Sequence, residues 1–185
     1  MTSTENQNDG WFVISVNFRD TDISFWRNGE SVWQSRLSQG GVDAVIALMN
    51  HLRFAHNLLV GRYSAEHIIL EIGSAAPLDP SPTIIVRGRD LISGELSQLE
   101  ITSEDVRDVL DFWLHSLSGH LSAIFRTPEA TGDSVPYPDR IPPELKPVLG
   151  TKPIVLAGDF GLLNGLDQFI QNSLKLTVIC ETGEK

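Results

Sequence analysis

The stretch Glu71–Thr102 constrains the fold of this chain most tightly, because residues that break helices alternate in it with residues that form strands. Gly73 ends a helix, and the prolines that follow prevent the helix from resuming. Thr83–Val86 is β-branched and apolar, which predicts a strand. The charged run Arg87–Asp90 predicts a sharp turn, and Gly94 allows a further reversal before a second strand. We therefore expect a strand–turn–strand unit between two helices.

The residues before this stretch predict three antiparallel strands. The strand-like segments are Trp11–Val16, Asp22–Trp26 and Ser31–Leu37. Asn28-Gly29 lies between the second and third segments and is a strong hairpin signal. Trp26 and Trp33 either pair across this hairpin or point outward as anchors for a partner.

The helices and the remaining strands are predicted from apolar spacing and capping residues. The predicted helices are Val42–His56, a short helix that Ser64 caps and that runs to about Ile72, a long helix from Thr102 to about Arg126, and Leu162–Asn172. The apolar stripe of the first helix is Val45, Leu48, Met49, Leu52 and Phe54. The late strands are Pro153–Leu156 and Leu176–Cys180. The Pro-rich segment 127–150 predicts a loop with a short helix near Glu144–Leu149. This order of elements is typical of an α/β layered domain.

Composition excludes several classes of protein. The formal net charge of −10 over 185 residues argues against a general electrostatic grip on nucleic acid or anionic lipid. Cys180 is the single cysteine and is expected to be a buried strand residue, so neither a disulfide framework nor a cysteine-based metal cluster is predicted. A reduced, cytoplasmic setting fits this composition best. Residues 1–10 predict a disordered lead, and no apolar stretch predicts direct membrane insertion.

The histidines and acids of the predicted helices have a spacing that is poor for a metal site. Two histidine pairs are five residues apart, whereas a metal pair on a helix prefers three or four. We expect these histidines and the acidic face of the long helix to be solvated. The residues concerned are His51, His56, His115, His120, Glu104, Asp108 and Asp111.

Several segments resemble the MreB/Mbl family of bacterial actins. The resemblance runs from about Trp11 to Cys180 and rests on the segments Asn57–Gly61, Ser64–Glu66, Val86–Leu91, Glu100–Arg107, Ile154–Gly158 and Leu162–Asp167. These segments match the second half of such an actin. In the family, the first half carries the first phosphate loop, the residue that activates water and the membrane-binding segment, and none of these has a counterpart before Trp11.

The resemblance implies half of an actin-like ATPase fold, which is RNase H-like. We therefore expect an α/β structure in which a mixed sheet is packed with helices and a small α/β subdomain is inserted. The core subdomain would comprise residues 11–60 and 103–180, with the Pro-rich loop 127–150 inside it. The inserted subdomain would comprise residues 61–102.

The first nucleotide-binding loop of the family is altered here. Where the family has Asp-Ile-Gly-Gly-Gly-Thr-Thr, this chain has Ser15-Val16-Asn17-Phe18-Arg19-Asp20-Thr21. Ser15 replaces the acid that would organise Mg²⁺. Asn17–Arg19 replace the glycines whose backbone N–H groups approach phosphate, and Asp20 adds a negative charge there.

The other loops of the family's nucleotide cleft are altered to different degrees. In the adenosine region Arg62 replaces an acid, whereas Glu66 is retained. Gly40 and Gly41 are retained as well. The family's Gly-Gly-Gly turn is Gly158-Asp159-Phe160 in this chain. These loops share only the nucleotide as a partner, so we expect neither ATP hydrolysis nor an ATP–Mg²⁺ cofactor.

The resemblance and the altered loops together predict a non-catalytic, MreB-like cytoskeletal protein that works by association. Its expected partners are an MreB-type filament protein, a second copy of itself or a membrane-anchored cell-shape protein, and it would reach the membrane only through a partner. Cell-shape or cell-wall organisation would be the process. The alternatives are a subunit of a composite actin-like ATPase, whose other half comes from a second chain, and a regulator that has left the cytoskeleton.

Overall fold

Two β-sheets and four α-helices form the fold in the computed structural model, which describes residues 10–125 and 140–181. The strands are β1 (Trp11–Val16), β2 (Thr21–Arg27), β3 (Glu30–Leu37), β4 (Leu58–Leu59), β5 (Thr83–Asp90), β6 (Leu96–Thr102), β7 (Ile154–Ala157) and β8 (Val178–Cys180). The helices are α1 (Gly41–His56), α2 (Arg62–Ile72), α3 (Ser103–Phe125) and α4 (Leu166–Leu174), with a 3₁₀ helix at Pro143–Val148. The predicted strands and helices occur in the predicted order, and β4 is an additional short strand that was not predicted.

The central sheet has five strands in the order β3-β2-β1-β7-β8. The first three strands are antiparallel, whereas β7 and β8 run parallel to β1. Asn28 and Gly29 both have positive φ values, 52° and 80°, which is the geometry that a tight hairpin turn requires. The predicted mixed sheet is therefore present, and its N-terminal hairpin is made by the predicted turn.

The helices bury their apolar stripes against the central sheet and against one another. α3 packs against both α1 and α4. Phe125 at the end of α3 meets Phe12 of β1, with the ring centroids 5.6 Å apart. Phe54 does not belong to the buried stripe of α1, because 74% of its surface is exposed near the end of that helix.

The smaller sheet joins β4, β5 and β6 in antiparallel order. Its inner face packs on α2, where Val86 and Ile101 of the sheet and Ile68 of the helix are buried. Its outer face is exposed and includes Ile85 and Leu96. The sheet also takes in β4, which precedes the start of the inserted subdomain expected at residue 61.

The predicted turn at Arg87–Asp90 is wrong, because these residues continue β5. Arg89 still pairs with Leu96, so the strand pairing outlasts the charged run. The reversal lies beyond Asp90, whose carboxylate accepts hydrogen bonds from the backbone N–H groups of Ile92 and Ser93, both at 2.8 Å. Gly94 completes the turn with a φ of 76°.

Two predicted helix starts are also wrong. α2 begins at Arg62 with Gly61 as its N-cap, so Ser64 lies inside the helix. α4 begins at Leu166 because Gly165 adopts a φ of 74° immediately before it. In both cases the glycine sets the boundary.

Two smaller expectations need correction. Trp26 and Trp33 do not pair, because a bulge between Phe25 and Trp26 places Trp33 opposite Phe25 and Trp26 opposite Ser31. Cys180 is half-buried rather than buried. The expected disordered lead and most of the expected Pro-rich loop lie outside the described residues, and the described part near residue 144 is a 3₁₀ helix.

None of the helices in residues 10–125 and 140–181 has the length and apolar character to cross a membrane.

Candidate functional site

The residues expected at a nucleotide cleft meet where β1 and β7 end and α1 begins. We call this region the loop junction and define it as residues 17–20, 40–42, 62 and 158–160. The backbone N–H of Gly41 donates to the carbonyl of Asn17 at 2.9 Å, and that of Phe160 donates to the carbonyl of Val16 at 3.0 Å. The guanidinium of Arg62 lies over the Phe18 ring, 5.1 Å from its centroid. Loops that are distant in sequence therefore form one site.

The N-terminus of α1 is closed by its own chain. The first N–H groups of a helix lack partners inside the helix and form a natural anion site. Here Val42 N–H donates to the carbonyl of Phe18 at 2.6 Å, next to the Gly41–Asn17 bond. Gly40 N–H donates to the carboxylate of Asp43 at 3.2 Å. These donors are engaged, and a carboxylate already lies at the positive end of the helix.

Aromatic rings fill the interior of the loop junction. Phe160 is fully buried, and a Cβ atom built on Gly41 would lie 2.3 Å from its ring. The Phe160 ring centroid is 6.2 Å from that of Phe18 and 6.3 Å from that of Trp113. The indole N–H of Trp113 donates to the carbonyl of Gly40 at 2.9 Å. The interior is therefore apolar and tied to α3.

A polar network lines the junction beside β1 and β2. The hydroxyl of Ser15 donates to the side-chain oxygen of Asn17 at 3.2 Å. The Asn17 amide donates to the carboxylates of Asp20 and Asp22, both at 3.3 Å. Arg36 of β3 pairs with Asp22 at 2.6 Å and approaches Asp20 to 3.8 Å. The hydrogen bond and the charge of Asp22 raise the pKa of Arg36 above its ordinary value.

Sequence reasoning missed Asp22 and Arg36, although they face each other on neighbouring strands. A hairpin counted outward from Asn28-Gly29 would place Asp22 opposite Ser35. The bulge between Phe25 and Trp26 shifts the register by one residue and brings Arg36 to Asp22. The sequence shows opposite charges on the two predicted hairpin strands, but it does not show the register that brings them together.

The remaining predicted site residues have different positions. Thr21 is fully buried, and its hydroxyl donates to the carbonyl of Gln39 at 2.8 Å, which ties β2 to the segment before α1. Arg19 and Asp159 are exposed. Glu66 is half-buried on α2, and among the described residues it makes no hydrogen bond or ion pair with the loop junction.

The loop junction is poorly suited to a phosphate chain and its magnesium ion. Such a ligand is held by backbone N–H groups that point at it and by oxygen ligands for the metal. At the junction the N–H groups of Gly40, Gly41 and Val42 are bonded to the chain itself. Within the described part of the chain, no group of three or more histidine, cysteine or acidic side chains could hold a metal ion.

Comparison with known proteins identifies the family. The model of the family described as MreB/Mbl protein matches residues 5–183. The chain belongs to the MreB/Mbl family. It is 27% identical over 173 residues to the cell shape-determining protein Mbl of Bacillus subtilis (strain 168), a match that covers 94% of this chain and 48% of Mbl. It is 28% identical over 170 residues to the cell shape-determining protein MreB of Escherichia coli (strain K12), which covers 92% of this chain and 45% of MreB.

The chain therefore spans about half the length of the MreB/Mbl relatives it matches. Solved structures show the same relationship at the level of the fold. MreB5 of Spiroplasma citri bound to ADP superposes with a TM-score of 0.78 at 21% identity, over 97% of this chain and 51% of MreB5. The MamK double helical filament gives a TM-score of 0.67 at 16% identity, over 94% of this chain and 50% of MamK. The predicted family and the predicted actin-like fold are confirmed.

Proposed function

We propose that this chain is a non-catalytic member of the MreB/Mbl family that associates with filaments of an MreB-type actin and takes part in cell-shape or cell-wall organisation. The observation that carries the proposal is the closed N-terminus of α1. Its N–H groups at Gly41 and Val42 donate to carbonyls of the β1–β2 turn instead of remaining available to a ligand.

Opening the loop junction for a nucleotide would be costly. The Gly41 and Val42 hydrogen bonds contribute about 0.5–1.5 kcal/mol each. Displacing Phe160 from its fully buried position would add about 1.5–3 kcal/mol. A phosphate chain would also approach the carboxylates of Asp20 and Asp43. This balance favours a closed junction that stabilises the fold over one that binds ATP.

Association is supported by the chain's relatives. The B. subtilis and E. coli relatives are cell shape-determining proteins, and MamK, which shares the fold, has been solved as a filament. A chain with half of this fold has surfaces through which it could join, cap or modulate a filament. The proposed partner is an MreB-type filament protein or a second copy of the chain. A membrane-anchored cell-shape protein is a further proposed partner.

Co-sedimentation tests the proposal. The chain is mixed with a polymerised, full-length MreB-family protein, and the pellet is compared with that of unpolymerised protein at the same concentration. We expect the chain to enter the pellet only when filaments are present and to change their amount or length. A chain that stays in the supernatant with every family filament tested would contradict the proposed function.

A second candidate function is a half-site in a composite ATPase. The convergence of all four loops at one junction favours it, since Gly40 and Gly41 still lie beside the β1–β2 turn. In that case a second chain would supply the other half and open the junction. ATP turnover by a mixture of this chain and a partner, absent from each alone and abolished by Gly41→Trp, would support the composite enzyme over the non-catalytic role.

A further inference from the structure

A groove of about 370 Å³ lies between α1 and α3. Ile46 of α1 and Val109, Phe112 and Trp113 of α3 line it with apolar surface. Trp113 is only 2% exposed and forms the floor, whereas Ile46, which is 50% exposed, and Phe112, which is 84% exposed, stand on the rims. A concave apolar site of this volume is typical of those that bind small organic molecules.

The polar side chains of the groove favour a positively charged ligand. Among the described residues that line the groove, Asp43 is the one carboxylate, and none is a lysine or an arginine. Its Oδ2 accepts the N–H of Gly40 at 3.2 Å, and the described residues donate no hydrogen bond to Oδ1. His120 is hydrogen-bonded through Nδ1 to the side-chain oxygen of Gln39 at 2.8 Å, so Nδ1 carries the proton and Nε2 of the neutral ring is an acceptor. A carboxylate and an imidazole acceptor at one site suit a cation that donates hydrogen bonds.

The groove shares residues with the loop junction. The indole N–H of Trp113 donates to the carbonyl of Gly40 at 2.9 Å, and Asp43 accepts the N–H of the same residue. Both hydrogen-bonding groups of the Gly40 backbone are thus held by side chains that line the groove. The carbonyl of Gln39, another lining residue, accepts the hydroxyl of Thr21. A ligand that restrains these side chains therefore also restrains the backbone at the N-terminus of α1.

We propose that the groove between α1 and α3 binds a small organic cation, an ammonium group joined to an aromatic or branched aliphatic body, and that its occupation holds the loop junction closed. The ammonium pairs with Asp43 and donates to Nε2 of His120. The apolar body lies over Trp113, between Ile46 and Phe112. Burial of the body contributes affinity, and the acid selects for positive charge. The inference goes beyond the proposed filament role, because it needs no second protein.

Three ligands with an indole body separate the apolar part of this interaction from the electrostatic part. Tryptamine carries the ammonium, tryptophol a neutral hydroxyl and indole-3-acetate a carboxylate. Each is titrated into the full chain at neutral pH and followed by NMR of the backbone amides and of the indole N–H of Trp113. We expect tryptamine to bind about three- to tenfold tighter than tryptophol, the effect of a partly exposed ion pair with a hydrogen bond, and indole-3-acetate to bind most weakly. Ethylamine, which has the charge without the indole, should not displace tryptamine.

Four variants assign the binding to the groove. Asp43→Asn should remove the preference for tryptamine over tryptophol and leave tryptophol binding unchanged, since asparagine keeps an oxygen for the Gly40 N–H. Asp167→Asn is the matched control, because Asp167 is the acid in the first turn of α4 as Asp43 is in α1. Ile46→Lys should weaken tryptamine binding, since the new ammonium lies three residues from Asp43 on the helix. Val32→Lys makes the same change of charge on β3, at a position that is 52% exposed, and should bind like the wild type.

Hydrogen exchange tests the link to the loop junction. Saturating tryptamine should slow exchange of the Gly41 and Val42 amides by at least about twofold, because opening of the junction then requires the ligand to leave. Asp43→Asn should abolish this protection and Asp167→Asn should keep it. Exchange at the junction that is unchanged by bound tryptamine would overturn the link. Circular dichroism checks that each variant is folded, and Ile46→Lys carries the test if Asp43→Asn is not.

Other outcomes would overturn the binding site itself. They are equal binding of the three indole ligands, no binding of tryptamine at millimolar concentration, and shifts that avoid the groove. If no amine binds while Ile46→Lys changes the sedimentation of the chain or its recovery in a filament pellet, the groove is a protein contact and the inference is wrong. If tryptamine binds as expected to a chain that never enters a filament pellet, the inference stands and the proposed function is contradicted.

Discussion

The ring of Phe160 lies directly against the backbone of Gly41, where a Cβ atom would come within 2.3 Å of it. Gly41 is one of the glycines that match the nucleotide-binding pattern of the family. In this fold the absence of a side chain at Gly41 leaves room for a fully buried phenylalanine from the loop after β7. A residue type that serves ligand approach in one setting thus serves core packing in another.

Gly41→Ala should lower the free energy of unfolding by about 1–3 kcal/mol, because the added methyl group overpacks the junction. Urea unfolding measures the change. Gly119→Ala is the matched control, since Gly119 lies in α3 and an added Cβ atom there would meet no atom beyond the helix backbone within 4 Å. That substitution should raise stability by about 0.5–1 kcal/mol through helix propensity. Equal effects of the two changes would show that the Phe160 contact is not tight.

Phe160→Ala should lower the free energy of unfolding by about 3–5 kcal/mol, as is usual for a large buried aromatic residue. Phe112→Ala, at an 84% exposed position, should stay within about 0.5 kcal/mol of the wild type. The double variant G41A/F160A should be more stable than the sum of the single effects predicts, because the new methyl group enters the space that the ring leaves. Simple additivity would contradict the contact.

Mg-ATP at millimolar concentration should not raise the melting temperature of the chain. A ligand at one hundred times its dissociation constant would add about 2.7 kcal/mol of stability, which a thermal shift assay detects readily. A full-length MreB-family protein serves as the positive control in the same assay. A clear upward shift for this chain, lost in Gly41→Trp, would mean that the loop junction opens for nucleotide.

Asp105→Ala should destabilise the start of α3 by about 0.5–2 kcal/mol at neutral pH. The Asp105 carboxylate accepts hydrogen bonds from the backbone N–H of Thr102 at 2.9 Å and from its hydroxyl at 2.8 Å. These bonds, the backbone one first, lower the pKa of Asp105 below its ordinary 3.8. The stabilisation is therefore present above that pH and is lost as the pH falls through the lowered pKa. Urea unfolding near pH 7 and again below pH 3 should show the difference between wild type and variant shrinking, whereas Glu104→Ala should show little difference at either pH.

Elements that depend on a few neighbouring residues could be predicted from the sequence. Asn28-Gly29 made the hairpin, and the acid-rich start at Thr102 made the beginning of α3, because a few neighbouring residues satisfy the backbone there. The bulge after Phe25 had no such signal. Register depends on how two strands pack against the rest of the sheet, and one extra residue moves every later cross-strand pair. The continuation of β5 through Asp90 likewise depended on its partner strand.

The position of the candidate site followed from the resemblance, whereas its internal chemistry did not. The loops around Asn17, Gly41 and Phe160 could be aligned with the family one at a time. The bonds from Gly41 to Asn17 and from Phe160 to Val16 join residues that are far apart in the chain. They depend on backbone positions that only the folded sheet defines.

The parallel pairing of β1 with β7 also limits when the central sheet can form during synthesis of the chain. Val13 pairs with Val155, so β1 is synthesised long before the strand that covers its second edge. Such distant pairing slows folding. Until Ile154–Ala157 emerges, β1 exposes a strand edge that a neighbouring nascent chain could occupy.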